Sequence, residues 1–409
     1  MKTIRTHAEG ICTPDAATFA VCDAPVATCL ISTASTRAMR TTLAAIASLA
    51  GLAVTQAHAA SNVTLYGIID SGAEFLTSAA STTSGSKQNV VRATSGNMSG
   101  SRWGFKGTED LGGGTQALFL LENGFDATSG KTLQGSREFG RLAYVGLSNK
   151  TYGRFTLGRQ GGIFLDWVSK YNPLGNAVYA VKMQDPIFSD RLDNTVRYEN
   201  AFGAFHVLAQ YSKGYDDVSF GSATPGDNRR AQVLEAGIEY RGGPFNAVLA
   251  YDQKNGGSTA LNAATTAKVG GYEGNLNRAV ALAAKYTFAS VEVSGGWRYR
   301  DGRATHLTTL TTTQSEISNF YWLGATYRLN PALELAATAM YQDFKDTNRD
   351  PWSFQVSSDY FFSKRTDVYI NVGYVLNRHG SNLGLNGFGT DVVAGSNQFG
   401  TMVGIRHRF

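Results

Sequence analysis

The chain has 409 residues, a formal net charge of +5 at pH 7 and 43% hydrophobic residues. No run of 18 apolar residues occurs, which argues against a membrane-spanning helix. The excess of positive charge is too small to indicate a nucleic-acid-binding protein. The length could hold two or three domains, but no linker-like change of composition appears after residue 60, so we expect one domain there.

Residues 39–59 have the features of a secretory signal. Arg40 supplies a positive charge, Leu43–Val54 form an apolar stretch, and residues 57–59 (Ala-His-Ala) have the small-x-small pattern of a cleavage site. A buried helix of similar length is the alternative interpretation. We therefore expect the exported chain to begin at residue 60.

Residues 1–38 do not fit a signal, because acidic residues and two prolines interrupt them. We interpret them as an upstream in-frame extension, with Met39 as the true start. All three cysteines lie in this extension (Cys12, Cys22 and Cys29), so residues 60–409 contain none. A disulfide scaffold, a thiol nucleophile and a thiolate metal site are therefore excluded from the exported domain.

Apolar and polar residues alternate along most of the exported segment, as they do in half-buried β-strands. In residues 352–362 one face carries Trp352, Phe354, Val356, Tyr360 and Phe362, and the other carries Ser353, Gln355, Ser357 and Asp359. The pattern recurs in residues 205–212, 291–300 and 367–377. We count sixteen such strands of roughly 9 to 13 residues, near the length that a tilted strand needs to cross a bilayer.

The predicted connections between strands alternate in length. Short ones lie at 111–114, 148–153, 242–244, 330–331 and 364–366, and long ones at 77–100, 216–229, 255–276, 302–314 and 379–396. Short turns at one end and long loops at the other are typical of an outer-membrane barrel. A soluble β-sandwich or solenoid is the alternative, but such folds rarely need sixteen strands in one unit. We predict an all-β protein, a 16-stranded antiparallel transmembrane β-barrel whose closure leaves no unpaired edge.

One segment, about residues 159–190, departs from this pattern. It carries Gly161-Gly162 and a helix-compatible run, Ile163–Val168, and it is broken at Asn172-Pro173. A long loop inside a compact domain is usually functional or disordered, and the apolar residues here argue against disorder. We predict that the segment folds inward and narrows the barrel as a constriction loop.

Several separated motifs resemble the Gram-negative general porins, above all the trimeric β-proteobacterial type. They are SNVTLYGIID, SRWGFKGTEDLGGG, GRLAYVGLSNKTYGRFTLGRQ, NTVRYENAFG, SSDYFFSKRTDVYINVGY and the terminal GIRHRF. The resemblance covers nearly all of residues 60–409. It implies an outer-membrane homotrimer, in contact with membrane lipid and lipopolysaccharide. The final residue, Phe409, matches the aromatic that the barrel-assembly machinery reads in this family.

The resemblance also implies which residues control selectivity. Family members set arginines on the barrel wall against carboxylates on the infolded loop, where low-dielectric walls focus the electric field. Arg102, Arg159 and Arg197 match the wall arginines, and Asp166 and Asp185 are our choices for the loop acids. An ordinary solvated lumen residue is the alternative for each of them.

Alternation along the strands gives separate information on side-chain direction. Trp103 and Phe105 are expected on the outer face, so Arg102 and Lys106, which have the opposite parity, should point inward. The other residues that we expect to face the lumen are Asp70 and Glu122.

Arg159 breaks this regularity. It has the same parity as the outward-facing Phe155 and Leu157. We expect the strand to bend at Gly158, because glycine relaxes the limits on the backbone and the constriction loop departs there.

The residues give no sign of catalysis. The four histidines of the exported segment have no metal-ligand spacing, and no serine-hydrolase elbow, HExxH motif or phosphate-binding Gly-Lys loop is present. We therefore expect a passive, water-filled channel for ions and small hydrophilic solutes, with a mild anion preference, no metal, no cofactor and no nucleic acid partner. The alternatives are a substrate-specific channel with a saturable solute site at the constriction loop, an outer-membrane enzyme, and an adhesin.

Overall fold

The computed structural model describes residues 62–81, 86–213, 232–255, 276–302, 317–345 and 347–409. These residues belong to one compact unit, Ala57–Phe409. The predicted extension and signal lie outside the described residues, as do nearly all of the predicted loops at 216–229, 255–276 and 302–314. Among the described residues, no helix is both long and apolar enough to cross a membrane.

The described residues are almost entirely β-structure. The strands are β1 Asn62–Ala80, β2 Lys87–Ser95, β3 Arg102–Gly112, β4 Thr115–Gly124, β5 Leu142–Asn149, β6 Gly153–Gly161, β7 Arg191–Phe202, β8 Phe205–Lys213, β9 Gln232–Gly242, β10 Phe245–Asn255, β11 Leu276–Phe288, β12 Val291–Asp301, β13 Ile317–Asn330, β14 Leu333–Phe344, β15 Trp352–Phe361, β16 Thr366–Leu376, β17 Leu383–Gly384, β18 Gly387–Phe388 and β19 Gln398–Arg408. Two short α-helices, α1 Ile163–Asp166 and α2 Val181–Gln184, alternate with 3₁₀ turns at Val168–Tyr171 and Pro186–Ser189.

The strands form a closed barrel with sixteen positions. β2 and β3 share one position, because β1 pairs with β3 along Asn62–Ile68 and with β2 along Ser71–Ala80. β17 and β18 form a separate small hairpin. Pairing of β1 with β19 closes the sheet. The predicted 16-stranded antiparallel barrel is therefore confirmed, and closure satisfies the backbone hydrogen bonds that an open edge would expose.

The predicted long loop at 77–100 is wrong over much of its length. Residues 77–80 continue β1, and residues 87–95 form β2, with a β-bulge between Leu76 and Ala79. Its Ser, Thr and Asn content is typical of loops. Strand formation here rests on backbone pairing with β1, which depends on context more than on side-chain preference.

Side chains alternate between the two faces of the wall as the sequence predicts. In β15, Phe354 and Val356 are 42% and 55% exposed on the outer face, whereas Gln355 and Ser357 on the inner face are 2% and 3% exposed. The outer face is thus apolar and open, and the inner face is polar and covered. Much of what covers it is the chain between β6 and β7.

Candidate pore constriction

The segment Gly162–Asp190, here called the inner loop, leaves the end of β6 and returns to the start of β7. Gly161 pairs with Arg191, and the amide of Gly162 donates to the carbonyl of Asp190 over 2.9 Å. The two ends of the inner loop are therefore side by side on the wall. The predicted helical run at 163–168 and the break at 172–173 correspond to α1, the first 3₁₀ turn and the chain after Tyr171.

One side of the inner loop packs on an apolar part of the wall. The centre of the Phe188 ring lies 5.9 Å from that of Phe320 and 5.7 Å from that of Trp322. The Trp322 indole N–H donates a hydrogen bond to the carbonyl of Tyr171 over 2.9 Å. The other members of this core are Ile163, Phe164, Trp167, Val168, Val181, Ile187, Leu208, Val248, Ala250, Ala279, Ala281, Ala283 and Met340. Each large side chain buried in this way stabilises the arrangement by about 1.5–3 kcal/mol.

The inner loop also reaches the opposite wall. The Tyr179 hydroxyl donates to Glu74 over 2.9 Å, and the amide of Val178 donates to the carbonyl of Asn97 over 2.7 Å. Leu383 and Leu385, from the hairpin between β16 and β19, complete a second apolar core with Tyr179. The inner loop is therefore held from two sides of the barrel.

Acidic residues of the inner loop are ion-paired to the wall. Asp185 is buried against Arg298, with Arg300 at 3.8 Å. Burial alone would raise the pKa of Asp185, but the two arginines outweigh it and hold the pKa below its ordinary value. Asp190 pairs with Lys254, and burial raises its pKa in spite of that partner. These acids anchor the loop.

Arginines gather on the wall from β3 to β7 and share two carboxylates. Glu122 pairs with Arg141 at 2.6 Å and with Arg102 at 3.7 Å. Asp193 pairs with Arg159 at 2.5 Å and with Arg137 at 3.1 Å. All four arginines keep part of their surface exposed.

Two further cations join these arginines. Arg191, at the start of β7, donates to the carbonyl of Ser189 over 3.4 Å. Lys182 lies on α2 of the inner loop, where burial and the nearby Arg141 and Arg191 lower its pKa to about 8. Within the described part of the chain, neither side chain has an ion-pair partner. The basic cluster is defined as Arg102, Arg137, Arg141, Arg159, Arg191 and Lys182, with Glu122 and Asp193 as its paired carboxylates.

The structure brings the predicted wall arginines into two groups. Arg102 and Arg159 belong to the basic cluster. Arg197 lies apart from their carboxylates, between Asp166 at 2.6 Å and Glu199 at 2.6 Å. Asp166 and Arg197 were predicted to oppose each other, and they meet directly.

Asp185 is not brought to this group. Its partners lie on β12, and the residue is 2% exposed, so it does not face Arg102, Arg159 or Arg197. The expectation that Asp185 opposes them across the channel is corrected by the ion pair that buries it. A carboxylate in the sequence of a loop does not reveal which wall the loop will turn it toward.

The irregularity expected near Arg159 is present. Gly158 has φ +130°, a region that favours glycine, and the pairing of β6 with β7 shifts between Gly158 and Gln160. The Arg159 guanidinium consequently reaches the carbonyl of Gly140 at 2.8 Å as well as Asp193.

The residues predicted to face the lumen have distinct surroundings. Glu122 is in the basic cluster, where the Tyr66 hydroxyl also donates to it over 2.8 Å. Lys106 is exposed, 5.4 Å from the centre of the Tyr66 ring. Asp70 is buried and accepts hydrogen bonds from the amides of Met98 (2.8 Å) and Ser99 (2.7 Å), so it holds the turn between β2 and β3.

The terminal Phe409 closes the last strand. Its amide and carbonyl pair with Gly67, each over 3.0 Å, and a Cβ at Gly67 would collide with the Phe409 ring. Its ring is 45% exposed on the outer face.

The sequence analysis missed Lys182, Arg191 and Asp193, and it assigned no role to Arg137 or Arg141. The position of Arg191 directly after the inner loop was a usable signal, because the return of the loop fixes it beside Gly161. No such signal pointed to Lys182, because the direction of its side chain depends on a single helical turn inside a segment without periodicity. Within the described residues, no group of His, Cys, Asp and Glu side chains could hold a metal ion.

Comparisons with known proteins agree on one family. A model described as Gram-negative porin matches residues 42–380. An outer membrane porin protein of Bordetella pertussis is 31% identical over 403 residues, covering 91% of this chain and all of that protein. Outer membrane porin protein 32 of Delftia acidovorans is 27% identical over 387 residues, with coverage of 91% and 100%.

Two solved structures have the same fold. The anion-selective porin from Comamonas acidovorans superimposes with a TM-score of 0.66 at 24% identity, over 85% of this chain and all of that one. The trimer form of OmpT from Vibrio cholerae gives a TM-score of 0.58 at 16% identity, over 86% of this chain and all of that one.

Proposed function

The chain belongs to the Gram-negative porins, as its motifs predicted, and we propose that its outer-membrane channel prefers anions. Porins form water-filled passages through the membrane. The preference is proposed because of the basic cluster, which is the single observation that supports it most strongly. Six cations are gathered there around two paired carboxylates.

The electrostatic reasoning is direct. An ion pair presents a dipole, whose field falls off faster than that of a single charge, whereas Arg191 and Lys182 form no ion pair within the described residues. Barrel walls of low dielectric focus such a field along the passage. Anions are therefore enriched beside the basic cluster and cations are depleted.

The experiment is a reversal potential across a planar bilayer with a KCl gradient. We expect the purified channel to pass chloride in preference to potassium, and Arg102→Gln with Arg191→Gln to shift the potential toward the cation side. Arg365→Gln, in the exposed turn between β15 and β16, removes one charge outside the cluster and serves as the control. A parent channel without anion preference would refute the proposal.

The same preparation separates a general pore from a substrate-specific channel. A general pore gives a solute flux that rises in proportion to concentration, and a solute site at the inner loop gives a flux that saturates. We propose the general pore, without enzymatic activity, because the family is one of channels.

We further propose that the chain works as a homotrimer in contact with membrane lipid and lipopolysaccharide, and that Phe409 is read by the barrel-assembly machinery. The trimer form of the OmpT structure supports trimerisation as a property of this fold. Semi-native electrophoresis of the detergent-extracted protein tests it, since a trimer migrates as one species that heating converts to monomer.

A further inference from the structure

Lys182 lies on α2, whose other three residues are held in different directions. Val181 is buried in the apolar core with Phe188 and Trp322, on the wall of β13. The carbonyl of Gln184 accepts a hydrogen bond from Gln342 on β14. Met183 packs against the second apolar core, beside Tyr179. With its neighbours fixed in these three directions, Lys182 is turned toward the wall of β1 to β7.

The charged groups that face Lys182 are mostly positive. They are Arg141 before β5, Arg191 at the start of β7, Arg102 on β3 and Asp70 on β1. Asp70 is committed elsewhere, to the amides of Met98 and Ser99 and to the Tyr369 hydroxyl at 2.5 Å. Lys182 is itself half-buried and makes no ion pair within the described residues.

The acids of the inner loop cannot neutralise this site, because each is held by a different cation. Asp166 pairs with Arg197, Asp185 with Arg298 and Asp190 with Lys254. The inner loop therefore presents Lys182 to the basic cluster, and its Asp166 carboxylate, which lies near Arg191, is already paired with Arg197.

We propose that Lys182 is a specificity-determining residue of the channel, which places positive charge on the inner loop opposite the wall arginines. A permeating anion then passes between cations on both sides of the passage. The inference rests on the proposed anion preference and extends it from the wall to the inner loop.

A distinctive pH dependence follows. The pKa of Lys182 is lowered to about 8, so the ammonium is charged below that pH and neutral above it. Burial and the nearby Arg141 and Arg159 lower the pKa of Arg191 to about 9, so Arg191 begins to lose its charge only at the upper end of this range, and the other arginines of the basic cluster remain charged. Anion preference should accordingly decline between pH 7 and pH 9, as one positive charge leaves the passage.

The test compares Lys182→Gln, Lys182→Arg and Lys364→Gln by reversal potential at pH 7 and pH 9. Lys364 lies in the exposed turn between β15 and β16 and matches the loss of one charge outside the passage. One unit charge about 7 Å from an ion in water changes its energy by roughly RT. Because chloride and potassium are affected in opposite directions, Lys182→Gln should lower the chloride-to-potassium permeability ratio about sevenfold at pH 7.

The variants differ in their response to pH. Lys182→Gln should lose most of the change between pH 7 and pH 9, because only Arg191 still titrates near pH 9, and Lys182→Arg should keep most of the anion preference at both. The Arg variant also guards against misfolding, since it retains the charge at the same place. If Lys182→Gln matches the parent while Arg102→Gln with Arg191→Gln shifts the potential, the inference about Lys182 fails and the proposed function stands. If the parent has no anion preference, the proposed function fails first.

Discussion

Local partners decide how much each charged residue contributes to the field in the channel. Arg197 is enclosed by Asp166 and Glu199, each at 2.6 Å, so its charge is largely cancelled. Arg102 and Arg141 share one carboxylate, which leaves an excess of positive charge. A count of arginines in the sequence therefore overstates the contribution of some positions to the electric field and understates that of others.

Neutralising Glu122 should strengthen the anion preference. Glu122→Gln keeps an acceptor for the Tyr66 hydroxyl but frees Arg102 and Arg141 from their shared countercharge. We expect the chloride-to-potassium permeability ratio to rise about sevenfold, because the loss of one charge affects the two ions in opposite directions, as measured by reversal potential. Glu334→Gln, at the turn end of β14, is the matched control. A ratio that stays constant or falls would mean that permeating ions do not sense this pair.

Removing the Asp185 carboxylate should loosen the inner loop. Arg298 is 1% exposed, and Asp185→Asn would leave its buried charge without a carboxylate partner, at a cost of about 3–5 kcal/mol. We expect faster hydrogen exchange at the amide of Ile187, which donates to Asp185, and noisier open-channel current. Asp126→Asn, in the connection between β4 and β5, should leave both unchanged. If the Ile187 amide of Asp185→Asn exchanges as slowly as in the parent, the ion pair does not anchor the loop.

At the level of elements, apolar packing positions the inner loop. Phe188→Ala would open a cavity among Phe164, Phe320 and Trp322, which costs about 3–5 kcal/mol for a buried phenylalanine. The loop should then sample positions away from the wall, and single-channel conductance should become larger or more variable. Phe362→Ala, with its ring 65% exposed beyond β15, is the control. Conductance identical to the parent would argue that this core does not set the loop position.

The last strand makes a separate prediction. Phe409→Ala keeps the backbone pairing with Gly67 but removes the ring that covers that glycine. We expect a smaller fraction of folded barrel in the outer membrane, measured as heat-modifiable mobility on gels. Phe399→Ala, on the outer face of the same strand, should have less effect. Equal losses from the two variants would assign the effect to general outer-face hydrophobicity.

Strands and the inner loop differ in how far the sequence predicts the directions of their side chains. Strand faces follow from a period of two, so the directions of Gln355 and Val356 could be inferred directly. Arg159 needed a bulge, and Gly158 marked where it would lie. The directions of Asp185 and Lys182 could not be inferred, because the inner loop has no period and its contacts come from strands far away in the sequence, such as Glu74 on β1 and Trp322 on β13.

At the scale of the whole molecule, the lumen has two unlike sides. The buried apolar wall residues that pack on α1 and the first 3₁₀ turn come from β8 to β14. The partly exposed cations of the basic cluster come from β3 to β7, the connection before β5 and α2. A passage for water and ions is therefore expected along the β1 to β7 side, past the basic cluster.

The most direct test of this account is chemical modification of a single cysteine during current recording. A chain that begins at residue 60 has no cysteine of its own, so Arg191→Cys and Val356→Cys each provide one thiol. At residue 191, a negatively charged thiosulfonate should lower the chloride-to-potassium permeability ratio and a positively charged one should restore it. Neither reagent should act at residue 356, which lies on the outer face. A reversal potential that does not change when the cysteine at residue 191 is modified, or one that changes when the cysteine at residue 356 is treated, would contradict the account.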